Sequence, residues 1–138
     1  MADFILDCSV AVSWCFEEEN DGYSLRVLES LSKNVAAVPS LWHYEICNVL
    51  LMGQKQKKFS QAVVSNFLNS LYQLPIEIVT TSNHMQDLIL LSAKYGLTAY
   101  DGAYLDLALK LGLPVATLDK KLIAAIKNSG SKIFDIKS

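Results

Sequence analysis

A chain of 138 residues can support one core, and 51% hydrophobic against 19% charged residues excludes a disordered segment. The net charge of −2 argues against nonspecific coating of nucleic acid, which wants a basic surface, but leaves room for an enzyme whose cation neutralises a phosphate. A mean hydropathy of +0.26 points to more apolar surface than one core hides.

Cys8, Cys15 and Cys47 show neither a CxxC pair nor Cys/His ligand spacing, so no disulfide framework or zinc site is implied, and free thiols suit a reducing cytoplasm. The apolar run from Phe4 to Phe16 is far shorter than the ~20 residues of a membrane span and contains Asp7. It also lacks the basic start of a secretory leader. The reading is one soluble, cytoplasmic domain over residues 1–138, with no membrane association.

In chain order, Phe4-Ile5-Leu6 reads as a short buried strand, after which Ser9 caps a helix through Trp14. Residues 17–22 read as a polar, solvated loop, and Tyr23 to Lys33 as a helix with Leu25, Leu28 and Leu31 on one side. Val35 to Val38 is a second strand, ended by Pro39; Ser40 then caps a long helix to about Lys57. Ser60 caps the next helix, to about Tyr72, and Ile76 to Val79 is a third strand. A helix beginning at Ser82 or Asn83 ends at Tyr95-Gly96, and Asp101 opens another that runs to Leu111-Gly112. Pro114 to Leu118 is a strand, Asp119 starts a helix to Asn128, and Lys132-Ile133-Phe134 is a last short strand. Alternating strands and helices predict an α/β fold, a parallel sheet covered on both faces, with ligands beyond the carboxyl ends of its strands.

Four carboxylates fall where such a fold gathers ligands: Asp7, Glu45, Asp101 and Asp119. Singly, each aspartate is explained as a helix cap and Glu45 as a surface residue. Jointly, they make a cluster that raises its own proton affinity or demands a cation. A hard divalent metal on oxygen ligands meets that demand, and metal-assisted phosphodiester hydrolysis is a common use of it. Glu45 lies among Leu41, Trp42, Tyr44, Ile46, Val49 and Leu50, so it needs a cation or hydrogen-bond donors nearby. Ser9 and Thr117, each two residues from an aspartate, carry hydroxyls able to orient a carboxylate. Asp106 falls about 140° round the helix from Asp101 and is set aside. Tyr104, one turn beyond Asp101, suits either a substrate groove or the core. His43 and His84 share no ligand pattern, against histidine-based acid–base chemistry.

These motifs resemble the PIN domain, and specifically the VapC-type toxins of bacterial toxin–antitoxin modules. They are Leu6-Asp7-Cys8-Ser9, Val38-Pro39-Ser40-Leu41 leading to Glu45 and Asn48-Val49-Leu50, Leu97 to Tyr104, and Thr117-Leu118-Asp119-Lys120-Lys121-Leu122. The resemblance covers nearly the whole chain, although Gly102 stands where alanine is commoner. It implies a three-layer α/β/α sandwich with a central, mostly parallel sheet, and a Mg²⁺- or Mn²⁺-dependent endoribonuclease. It also implies a homodimer, an RNA substrate and inhibition by a cognate antitoxin protein. Asp7, Glu45, Asp101 and Asp119 become the catalytic quartet, with Asp7, Asp101 and Asp119 as metal ligands. A non-cleaving module of the same fold, binding RNA or protein, is the alternative. A haloacid-dehalogenase-like phosphotransferase would need an acid at Ser9, a receiver domain an early acidic pair, and dinucleotide binding a glycine in the first turn.

Overall fold

The computed structural model describes residues 1–16, 22–82 and 84–136. Most of the acidic 17–22 loop, and Asn83 as a helix start, lie outside the described residues. Strands β1 (Phe4–Leu6) and β2 (Ala36–Val38) contain no polar residue and are wholly buried, as parallel strands covered on both faces must be. Strands β3 (Ile76–Ile78) and β4 (Val115–Ala116) complete a four-stranded sheet in the order β3-β2-β1-β4, every pair parallel. The expected last strand is a single parallel bridge, Val115 to Ile133. Phe134 beside it stacks on Phe4 with ring centroids 4.0 Å apart.

Seven helices are present among the described residues: α1 (Cys8–Ser13), α2 (Gly22–Ser30), α3 (Leu41–Lys55), α4 (Gln61–Tyr72), α5 (Met85–Lys94), α6 (Ala99–Leu111) and α7 (Lys120–Asn128). One group packs α1 on α2 and α3; another packs α6 on α5, α7 and β1. The architecture is the expected α/β sandwich about a parallel sheet. None of the described helices is long and apolar enough to cross a membrane.

Local differences from the sequence reading have physical causes. On α2 the buried stripe is Ser24 and Val27, continued by Leu31 beyond the helix end, while Leu25 is turned outward. Trp14 explains the rotation, because its indole Nε1 donates to the Ser24 carbonyl at 2.9 Å and docks α1 on that face. Ser40 has helical dihedrals and makes no capping bond. Ser60 does cap α4, accepting from the Val63 amide at 3.2 Å.

The sheet order places the site. From β1 the chain steps to β2 and β3 on one side, then returns to lay β4 on the other side of β1. The connections leaving β1 and β4 therefore diverge, which opens a crevice beyond their carboxyl ends. Asp7 follows β1 directly, and Thr117 and Asp119 follow β4.

Candidate active site

Asp7 occupies the N-cap position of α1, yet its carboxylate makes no capping bond of normal geometry. It is held from the side instead. Ser9 Oγ donates to Oδ2 at 2.6 Å and Thr117 Oγ1 donates to the same oxygen at 2.8 Å, which leaves Oδ1 clear of both hydroxyls. The two hydroxyls are fixed in turn by the loop after β4: the Leu118 amide donates to Ser9 Oγ at 2.9 Å, and the Asp119 amide to Thr117 Oγ1 at 3.0 Å. Ser9 is thus a link between α1 and that loop, not the expected cap. Asp7 is only 4% exposed. Burial lifts its pKa above the ordinary value, the Ser9 and Thr117 bonds pull it back, and the charge of Asp119 adds to the rise.

Asp119 caps α7, with Oδ1 accepting from the Leu122 amide at 3.1 Å. Asp101 does not open α6 as expected. Thr98 is the cap, its Oγ1 accepting from the Asp101 amide at 3.1 Å, and Asp101 is the third helical residue. The signal was in the chain: Thr98 stands three residues before an acid, the spacing of a capping pair. Asp101 is half-buried, and its pKa is pushed up to about 6, by burial first and then by the charges of Asp119 and Asp7, with Lys121 opposing.

Glu45 reaches the cluster from the second turn of α3. Its Oε1 accepts from the Tyr104 hydroxyl at 2.5 Å, a contact that spans α3 and α6. Tyr104 is 0% exposed, so it belongs to the core and not to a substrate groove, and its polar end is spent on Glu45. Burial raises the Glu45 pKa, the Tyr104 bond lowers it, and Asp7 and Asp101 raise it further. Asp106 is turned to Lys110, 3.1 Å away, as its helical angle required. The Cys8 thiol is held protonated by burial and by the charges of Glu45 and Asp7.

The four predicted acids are therefore one electrostatic set. Asp7 feels Asp119, Glu45 feels Asp7 and Asp101, and Asp101 feels Asp119 and Asp7. Among the described residues, no three acidic, histidine or cysteine side chains stand ready-made around a metal ion. Asp7, Glu45 and Asp119 are each partly satisfied on their own, by hydroxyls, a phenol and an amide respectively. The donor chemistry fits a hard divalent ion: carboxylate oxygens supported by hydroxyls, with no imidazole taking part.

A family model for the PIN domain matches residues 4–128. The chain belongs to the PIN-domain family. Ribonuclease VapC3 of Pyrobaculum aerophilum is 31% identical to it over 81 residues. That stretch is 57% of this chain and 62% of the relative, so less than two thirds of the relative's length is matched. The PIN fold itself is matched by the crystal structure of PAE2754 from Pyrobaculum aerophilum, with a TM-score of 0.69 at 20% identity, covering 90% of this chain and 84% of that one.

Proposed function

We propose that this PIN domain is an endoribonuclease dependent on Mg²⁺ or Mn²⁺ that hydrolyses RNA phosphodiester bonds. One observation carries the reading: at the switch point of the sheet the charges of neighbouring acids, Asp119 among them, add to the burial that raises the proton affinity of Asp7, Glu45 and Asp101, an arrangement that a cation would relieve. The likeness to Ribonuclease VapC3 supports it.

Asp7, Asp101 and Asp119 would hold the ion, which when bound stabilises charge on the phosphate and acidifies water. Ser9 and Thr117 keep Asp7 aimed while leaving one of its oxygens clear of hydroxyls. Glu45 is the better general base. Tyr104 fixes its position and its raised pKa brings it nearer neutrality, whereas one Asp119 oxygen is already committed to the Leu122 amide. Glu45 takes the proton of the water that attacks phosphorus in line, and the displaced ribose oxygen leaves opposite.

The same reading takes the protein as a cytoplasmic toxin, a homodimer silenced by a separately encoded antitoxin. Exposed apolar side chains on α3 (Leu51, Met52) and α5 (Met85, Ile89, Leu90) supply surface for such partners. An arginine or lysine from the antitoxin is the natural rival of the metal at the carboxylates. A PIN domain that binds RNA or protein without cutting is the second reading, favoured by the lack, among the described residues, of three acidic, histidine or cysteine side chains placed to hold a metal ion.

Incubating the purified protein with a panel of RNAs, with Mn²⁺ and with chelator, separates the two. Fragments that appear only with Mn²⁺ are the expected result; intact RNA in both arms contradicts the nuclease reading.

A further inference from the structure

A cavity of about 140 Å³ lies between α3, α4 and β3, and none of the four carboxylates lines it. Its apolar walls are Ile46 of α3, Leu68 and Leu71 of α4, Leu74 beyond α4 and Ile76 of β3, with the indole of Trp42 among them. Tyr72 and Ile78 belong to the same lining and are exposed, so the cavity is reached from solvent beside β3, the edge strand of the sheet.

Two features make this more than a packing gap. Trp42 is buried, and its Nε1–H, which can only donate, has no hydrogen-bond partner among the described residues. A buried donor left unpaired costs free energy, and folded proteins hold few of them. The second tryptophan is the contrast, since Trp14 Nε1 donates to the Ser24 carbonyl at 2.9 Å. The walls of the cavity also lack the contacts that a filled space would give them. Water fills such a space poorly, because it wants two to four polar partners and meets apolar walls around one donor. One occupant relieves both deficits if it is mostly apolar and offers a single acceptor.

The lining sets the class of that occupant. No lysine, arginine, aspartate or glutamate takes part in it, so a charged ligand would enter without a counter-charge. Apolar cavities of about 150 Å³ hold benzene, so the space suits one ring with a short substituent. A protein strand is the poorer fit, because β3 offers only three residues to pair with. We propose that this cavity is a binding site for a small, neutral, ring-sized molecule whose oxygen accepts the hydrogen bond of Trp42 Nε1. The site stands apart from the ribonuclease reading, and its test needs no RNA.

The test is a titration of the whole protein with two probes of one shape, acetophenone and α-methylstyrene, which differ in a carbonyl oxygen replaced by a methylene. It is followed in ¹H–¹⁵N spectra, where the chain's two tryptophans give two indole signals. Acetophenone should saturate below about 1 mM and move the Trp42 indole proton downfield, while Trp14, already bonded, stays in place. Trp42→Phe should weaken acetophenone about fivefold more than it weakens α-methylstyrene, the effect of one neutral hydrogen bond. Leu68→Phe, which fills the cavity, should abolish binding of both. Absence of saturable binding by either probe would overturn the site, as would an equal effect of Trp42→Phe on the two. If Trp42→Phe does not fold, an unmoved wild-type Trp42 signal with acetophenone overturns it. A Trp42 signal that shifts with protein concentration alone would show a second copy seated there and overturn the small-molecule assignment.

Discussion

Asp101 shows how electrostatics oppose folding at this site. Its pKa rises from an ordinary 3.8 to about 6 in the folded protein, so the folded state binds its proton more tightly than the unfolded state does. Any stability this carboxyl contributes is present below about pH 4 and is lost as pH rises through about 6. Asp101→Asn removes that loss. Thermal melts in chelator should give the variant no advantage near pH 4 and a higher Tm than wild type above about pH 6. A variant less stable than wild type at neutral pH would contradict the like-charge account. Tyr104 is the second instance. Tyr104→Phe keeps the buried ring but removes the donor that favours ionised Glu45. The acid limb of the kcat profile should move to higher pH, and stability should fall by about 1 kcal/mol; an unmoved limb would exclude Glu45 as the base. Asp7, Asp101, Asp119, Ser9 and Thr117 could be picked out in the chain because each sits near an element end, and Glu45 because its neighbours on α3 are apolar. The Tyr104–Glu45 bond could not, because it joins residues 59 apart on two helices whose mutual placement no local pattern encodes.

Helix α6 owes its position to Gly102, where a Cβ would lie 2.1 Å from Ser92 Oγ and 3.2 Å from Ser92 Cβ on α5. The departure from the commoner alanine is therefore a packing device, and it sits beside Asp101. Gly102→Ala should destabilise by about 1–3 kcal/mol in urea melts, the cost of overpacking a close contact. In a Ser92→Ala background the cost should shrink, since the nearer obstacle is gone and the Ser92 hydroxyl has no hydrogen-bond partner among the described residues to lose. Equal costs in both backgrounds would show that the two helices do not meet as described. Each element was legible from period and punctuation, as with Ser60 before α4 or Gly96 after α5. The errors fell at helix starts and faces. Thr98 outranks Asp101 as a cap because its hydroxyl meets the amide three residues on, and α2 turns to suit Trp14 on another helix. Lys132 to Phe134 pair at one residue only, at the sheet edge where a short segment has one neighbour.

Alternation of strands and helices was enough to expect a covered parallel sheet, but not its order. β4 lies beside β1 and not beyond β3, and this order brings Asp119 to Asp7. The excess of apolar residues was equally legible, and the fold shows where it falls: Ile89 is 65% exposed and Met85 84%, one turn apart on α5. If that stripe is a two-fold interface, light scattering at tens of micromolar should give twice the 15.3 kDa chain mass, and Ile89→Glu should give a monomer. A monomeric wild type would remove the homodimer. The nuclease itself is tested most directly by Mn²⁺-dependent RNA cleavage in a series of charge-removing variants, with Asp106→Asn as the control acid on α6. Asp7→Asn and Asp101→Asn should each lose cleavage by at least about a hundredfold while remaining folded, and Asp106→Asn should cut like wild type. Full cleavage by folded Asp7→Asn or Asp101→Asn, in protein free of contaminating ribonuclease, would contradict the four-carboxylate site.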